Sequence, residues 1–103
     1  MERTLILGYL HEIWLSPQED GQLLESCIPF GPSGDGARAL QEDGSYCILF
    51  FWANSHFEAM TYYYQFFGRG RYSTNEEWDH TTYPLAWVEE QRNFINRLQN
   101  SLT

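Results

Sequence analysis

The chain has 103 residues, of which 43% are hydrophobic and 17% aromatic, and its 14 acidic residues outnumber six arginines to give a net charge of −8. This length and aromatic content fit one folded domain over residues 1–103 and exclude a disordered chain. The absence of lysine excludes a phosphate-binding P-loop and Schiff-base chemistry. No apolar run approaches the roughly 20 residues of a membrane span, so we expect no membrane partner.

The N-terminus and the cysteines indicate a reducing compartment. The first twelve residues lack the basic segment and the small-residue cleavage site of a secretion signal, so we expect a cytoplasmic protein. Cys27 and Cys47 are then expected to be free thiols that pack as small hydrophobic residues. There is no Cys-x-x-Cys pair, and the sequence predicts neither a metal site nor a cofactor.

Alternating apolar residues in the first third of the chain predict two antiparallel strands. Residues 4–14 form the first strand, and the segment Ser16–Gly21 is rich in turn-forming residues. Residues 22–30 alternate again and form the second strand, which ends near Pro29. A loop rich in glycine follows at residues 31–36.

The strongest strand signal is the uninterrupted apolar run over residues 46–53. A continuous apolar run between turn residues is typical of a strand that is buried on both faces. We therefore expect residues 46–53 to be the buried central strand of a small, at least partly antiparallel sheet of three or more strands.

Two helices are predicted to cover this sheet, which makes the fold class α+β. The first, over residues 55–67, begins with a capping box formed by Ser55 and Glu58. Apolar residues cover more than half of its circumference, so it needs neighbours on two sides. The second helix, over residues 84–100, has an apolar stripe about 120° wide. Gln91 falls inside that stripe and is predicted to be a hydrogen-bonded core residue, with a ligand-facing role as the alternative.

Negative charge is concentrated in residues 1–68, which carry nine carboxylates and two arginines. Such a field repels nucleic acid and attracts a basic protein, although acid also keeps an aromatic protein in solution. Trp78 lies in a predicted loop, either as a lid over the core or as an interface anchor. The predicted partner-binding residues combine these acids with neighbouring aromatic side chains, and they are Glu42, Asp43, Tyr72, Glu76, Glu77, Trp78 and Asp79.

Arg69 and Arg71 follow the first helix directly. The structural interpretation is that they complement the negative C-terminal end of that helix. The functional alternative is a clamp for a phosphate or a nucleic-acid base.

The sequence predicts no catalytic residues and no enzyme. His11, His56 and His80 lie in three different predicted elements, and none belongs to a recognised catalytic spacing. We expect a non-enzymatic, acidic protein-binding module of the inhibitor or immunity type, which neutralises a basic partner such as a toxin or an enzyme by covering its active surface. The alternatives are a self-associating accessory domain that forms a homodimer, and a small-ligand or nucleic-acid binder through Arg69 and Arg71.

Overall fold

The computed structural model describes residues 8–102 and shows an α+β fold with a three-stranded antiparallel sheet and three α-helices. The predicted fold class is confirmed, as are the two helices near residues 55–67 and 84–100. The segment 4–7 of the predicted first strand lies outside the described residues. The elements in chain order are β1 (Tyr9–Pro17), β2 (Leu23–Pro29), α1 (Asp35–Ala39), β3 (Tyr46–Ala53), α2 (His56–Phe66) and α3 (Leu85–Ser101).

The central strand of the sheet is β1, with β2 on one side and β3 on the other. Ile13 in the middle of β1 pairs with Cys27 of β2 and with Leu49 of β3, and both pairings are antiparallel. The predicted hairpin between the first two strands is confirmed. Its turn is closed by a hydrogen bond from the Gln18 amide to the Gln22 carbonyl, at 2.8 Å.

The prediction that residues 46–53 form a buried central strand is wrong, because β3 lies at the edge of the sheet. Its side chains alternate between exposed and half-buried positions, and Phe50 is 54% exposed. The actual central strand includes polar residues, which the apolar pattern does not favour. These side chains are buried with partners: the His11 ring with the Tyr83 hydroxyl, and the Glu12 carboxylate with Arg38.

Helix α2 covers one face of the sheet, called here the inner face, to which Tyr9, His11 and Ile13 belong. The predicted capping box is present: the Glu58 amide donates to the Ser55 hydroxyl oxygen at 3.1 Å, and the Glu58 carboxylate accepts from the Asn54 amide at 2.6 Å. Few hydrophobic side chains of the described chain are buried, and they are Tyr9, Ile13, Ile28, Ala53 and Ala59.

Gln91 attaches α3 to the end of the sheet, and its prediction as a hydrogen-bonded core residue is confirmed. Its side-chain oxygen accepts from the Leu10 amide at 2.8 Å, and its side-chain nitrogen donates to the carbonyls of Leu10 and Phe30 at 2.9 Å. The amide therefore continues the ladder beside β1 at the point where β2 has ended. It fixes the helix relative to the central strand.

Arg38 holds the segment 31–39 against the other face of the sheet, called here the outer face. Its guanidinium donates to the Glu12 carboxylate at 2.7 Å, to the Pro29 carbonyl at 3.0 Å, and to the Gly31 carbonyl. It also pairs with Asp35 at 3.0 Å. This segment covers the β2 side of the outer face.

Candidate functional site

The predicted partner-binding residues lie in two separate places. Glu42 and Asp43 are exposed in the turn before β3. Glu76, Glu77 and Trp78 are exposed around a short 3-10 helix, Glu77–His80, which contacts the start of α2. The two groups lie at opposite ends of β3, separated by roughly 23 Å along an eight-residue strand. The structure does not bring them together into one surface.

Asp79, which the sequence placed among the partner-binding residues, is buried and does not lie on the surface. It is 1% exposed, accepts a hydrogen bond from the Tyr72 hydroxyl at 2.9 Å, and bonds to Nδ1 of His56. Burial alone raises its pKa, but the hydrogen bonds from His56 and Tyr72 outweigh burial, and the net shift of the pKa is downward. Tyr72 is half-buried by the same contacts.

Trp78 is exposed and is not a lid over the core. Its side chain is 61% exposed, and its ring lies against the ring of His56, with 5.7 Å between the centroids. A large exposed aromatic side chain of this kind fits the interface-anchor interpretation, which the structure leaves as a prediction.

The contact between His56 and Asp79 is a feature that the sequence reasoning missed. The two residues are 23 positions apart, in α2 and in the 3-10 helix, so no local spacing connects them. A carboxylate on Nδ1 orients an imidazole and leaves Nε2 to face outward. In this fold, the ring of His56 also lines a cleft.

This cleft lies on the inner face between the sheet, α2 and the start of α3, and it has a volume of about 450 Å³. Its lining is mainly apolar and aromatic, with a few polar groups, which is the usual composition of a small-molecule site. The lining residues that matter below are Tyr9, His11, Cys27, His56, Tyr83, Trp87 and Glu90.

His11 is a buried titratable group of the cleft with a strongly lowered pKa. The pKa of His11 is lowered from 6.5 to about 4, mainly because the ring is buried. Backbone hydrogen-bonding groups of Tyr9 and Phe51 act in the opposite direction, and the positive charge of a protonated His56 contributes to the lowering. Its Nε2 lies 2.8 Å from the Tyr83 hydroxyl, and its buried Nδ1 has no hydrogen-bond partner among residues 8–102. His11 is therefore neutral at physiological pH, and it lacks the charge that binds an anion.

Neither cysteine supports nucleophilic chemistry. Both are free thiols in the structure. Burial raises the pKa of Cys27 to about 12, and it also raises the pKa of Cys47. A thiol with a raised pKa has little of the reactive thiolate form. Within the described part of the chain, no three His, Cys, Asp or Glu side chains are grouped so that they could hold a metal ion.

Arg69 is exposed, and its side chain is held by contacts with other residues of the chain. It forms an ion pair with Glu25, and its guanidinium lies 5.9 Å from the ring centres of Tyr63 and Phe67. Arg71 is exposed at the side of a depression near Tyr72. The structure therefore does not direct the two arginines toward one shared anion.

The outer face of β3 carries an exposed apolar surface. We define the outer patch as Ile48, Phe50 and Trp52, which are 37%, 54% and 38% exposed. A β-bulge opposite Ile13 and Trp14 interrupts the pairing at Ile48, and the remainder of β3 is regular. Beside Trp52, a groove of about 310 Å³ runs along α3 and is lined by residues such as Val88 and Ile95.

Exposed acidic residues lie in the turn that precedes β3, next to the strand that carries the outer patch. Glu42 lies beside the β1–β2 turn, where it shares a shallow depression with Glu19 and Asp20. Glu42, Glu19 and Asp20 are exposed. The apolar edge strand thus begins at an acidic end of the sheet.

No helix within residues 8–102 is both long and apolar enough to cross a bilayer. The chain matches no protein-family model, no curated protein and no solved structure. The candidate binding surfaces of the described chain are the inner-face cleft and the outer patch.

Proposed function

We propose that the protein is a non-enzymatic protein-binding module that docks a partner on the outer patch and on the edge of β3, which pairs with no second strand among residues 8–102. The observation that carries this proposal is an edge strand of eight residues with no charge and no proline. Native proteins protect edge strands with such residues or by covering them. Bare apolar edges of this kind accept a strand of another chain, whose backbone pairs with the edge.

The extent of exposed apolar surface supports a missing partner. Fourteen large hydrophobic side chains of the described chain are exposed, although the buried core is small. The Cα radius of gyration is 15.3 Å, compared with about 13 Å for a compact domain of this length. The thinnest dimension is 22 Å, so one sheet face has little protein above it.

The charge of the chain indicates a basic partner. The net charge is −8, and Glu42 and Asp43 are exposed at the start of the edge strand. Long-range attraction of this kind accelerates the encounter with a positively charged protein. In this proposal the acids steer the partner, and Phe50 and Trp52 anchor it after contact. When the module covers the active surface of its partner, the partner is inhibited. This is the neutralising role expected for an inhibitor or immunity-type protein.

The test is affinity capture from an extract of the native host with three immobilised forms of the protein: wild type, Trp52→Ala and Leu24→Ala. Leu24 is an exposed leucine on β2, 59% exposed, and serves as the matched control. We expect a basic protein that wild type and the Leu24 variant retain and that the Trp52 variant loses.

The captured protein is then used to test whether electrostatic attraction accelerates association. Its association rate should fall at least tenfold between low salt and about 0.3 M salt, because the Debye length shrinks. If it is an enzyme, one equivalent of the module should abolish its activity. Equal retention by all three forms, or an association rate independent of salt, would overturn the proposal.

Self-association is the second candidate, and the same strand favours it. An uncharged edge is self-complementary, because two copies of β3 can pair antiparallel about a two-fold axis. The net charge of −8 on each copy opposes this arrangement. Sedimentation over a wide range of protein concentration separates the two candidates. A dimer that Trp52→Ala converts to a monomer would establish self-association in place of a basic partner.

A further inference from the structure

Three aromatic rings form a wall at the mouth of the inner-face cleft. Tyr9 and Tyr83 have ring centroids 4.8 Å apart, and Trp87 lies 6.2 Å from each of them. The tyrosines are buried or half-buried, whereas Trp87 is 50% exposed. The wall therefore gives the cleft an aromatic lining, of which Trp87 is the most accessible ring.

The charged groups around this wall are two carboxylates and His56, whose charge when protonated is balanced by its Asp79 partner. Glu90 lines the cleft three residues after Trp87 on α3, which places the two side chains on the same side of that helix. The buried Asp79 lies directly behind His56. Among residues 8–102, no arginine lines the cleft. A group with positive charge is therefore attracted to this site, and an anion is repelled.

The neutral groups of the lining complete the recognition chemistry. His11 adds no positive charge at physiological pH, because burial keeps its pKa near 4. Tyrosine and tryptophan rings attract a cation through their electron-rich faces, and more strongly where water is excluded. The volume of about 450 Å³ accommodates a molecule with one ring and a short side chain.

We propose that the inner-face cleft is a binding site for a small organic cation with an apolar or aromatic body. In this assignment, the body packs against Tyr9, Tyr83 and Trp87, and the charged head lies near the Glu90 carboxylate. The site is on the face of the sheet opposite the outer patch, so it stands independently of the protein-binding proposal.

Three probes of nearly equal size and different charge test the assignment: benzylamine, benzyl alcohol and benzoate. Each is titrated into the full chain labelled with ¹⁵N, and the shifts of the Trp87 indole and of backbone amides near Met60 and Tyr83 are followed. We expect benzylamine, a cation at neutral pH, to bind about tenfold more tightly than benzyl alcohol, and benzoate to bind least.

Two matched pairs of variants locate the binding. Glu90→Gln should reduce the preference for benzylamine over benzyl alcohol, whereas Glu89→Gln, at an exposed residue outside the lining, should leave it unchanged. Trp87→Ala should weaken benzylamine about tenfold. Trp52→Ala removes an exposed tryptophan from the other face and should leave the affinity unaltered.

Several results would overturn the proposal. Equal affinity for the three probes would show that the site does not discriminate between ligands by their charge. Tightest binding of benzoate would show that the site binds anions. Shifts outside the cleft, or equal effects of the Trp87 and Trp52 variants, would place the binding elsewhere. None of these results bears on capture of a protein at β3, because the probes do not report on the edge strand.

Discussion

The two edges of the sheet are built differently, although both strands pair with the same central strand. The β2 edge contains Glu25, which pairs with Arg69, and it ends at Pro29. The segment held by Arg38 covers its outer side. The β3 strand has no charged residue and no proline, and Phe50 contacts the Phe30 ring but remains 54% exposed. Since an unprotected edge is open to pairing with another chain, the difference favours β3 as the edge that the proposed partner would use.

The largest expected effect tests whether β1 supports both edges. Ile13 is 0% exposed at the centre of β1, and Ile13→Ala should lower the free energy of unfolding by about 4 kcal/mol. Ile48→Ala on the exposed edge should cost about 1 kcal/mol, because much of that side chain already contacts water. Denaturation with urea measures both. Equal losses would mean that β3 is as buried as a central strand.

The loss of stability at acidic pH reports on the inner face, because the buried His11 lies there. The outer patch holds no titratable side chain. The pKa of His11 is about 4 when folded and 6.5 otherwise, so the unfolded state takes up a proton first as the pH falls. The neutral His11 therefore makes its full contribution to the free energy of unfolding above pH 6.5. About 3 kcal/mol of that free energy is lost as the pH falls from 6.5 to 4. The lowered pKa of Asp79 adds a loss only at more acidic pH.

Urea denaturation at a series of pH values checks this sign and its source. The His11→Phe variant should show a flatter stability curve between pH 6.5 and 4 than wild type. His80→Gln changes an exposed histidine, and this variant should lose as much stability between pH 6.5 and 4 as wild type. A curve that stays steep in the His11 variant would assign the acid response to another group.

Removing the cover of the β2 edge should make the two edges more alike. Arg38→Met leaves the buried Glu12 carboxylate with a hydrogen bond from the Trp14 indole, at 2.7 Å, in place of its ion pair. Breaking such a pair should destabilise the fold by about 2 kcal/mol, less than for a fully buried pair because Arg38 is partly exposed.

Proteolysis and denaturation measure that change. The segment 31–39 should be cleaved faster in Arg38→Met, and Arg92→Met on the exposed side of α3 should cost less than about 0.5 kcal/mol. A stable Arg38 variant with an uncleaved segment would show that other contacts cover β2.

The smallest effect compares one cysteine on each edge strand. The pKa of Cys27 on β2 is raised to about 12 by burial, while Cys47 on β3 is less deeply buried. Because the thiolate is the reactive form, iodoacetamide at pH 8 should label Cys47 at least about tenfold faster than Cys27. Mass spectrometry of the Cys27→Ser and Cys47→Ser variants gives each rate. Faster labelling of Cys27 would contradict the more protected β2 side.

Local signals predicted much of this fold from the sequence. The capping box of Ser55 and Glu58, the turn after β1 and the polar Gln91 in an apolar stripe depend on neighbouring residues, and the structure contains each of them. The apolar run of β3 was misleading, because that pattern implies burial within the same chain. In this protein, part of the run is left exposed.

The candidate sites were harder to predict because they depend on distant contacts. His56 and Asp79 meet only after α2 and the 3-10 helix are in place. Tyr9, Tyr83 and Trp87 come from β1, from the segment before α3 and from α3 itself. Such groupings depend on tertiary packing, and no spacing along the chain encodes them.

The attachment of α3 through Gln91 has a consequence for which substitutions the chain tolerates. Its side chain must accept a hydrogen bond from the Leu10 amide and donate hydrogen bonds to the carbonyls of Leu10 and Phe30. Glutamate only accepts, lysine only donates, and methionine of similar length does neither. Asparagine has both groups but is one methylene shorter. In a library of all residues at position 91, glutamine alone should retain the native helix position, whereas the exposed neighbours Glu90 and Arg92 should accept many replacements without loss of fold.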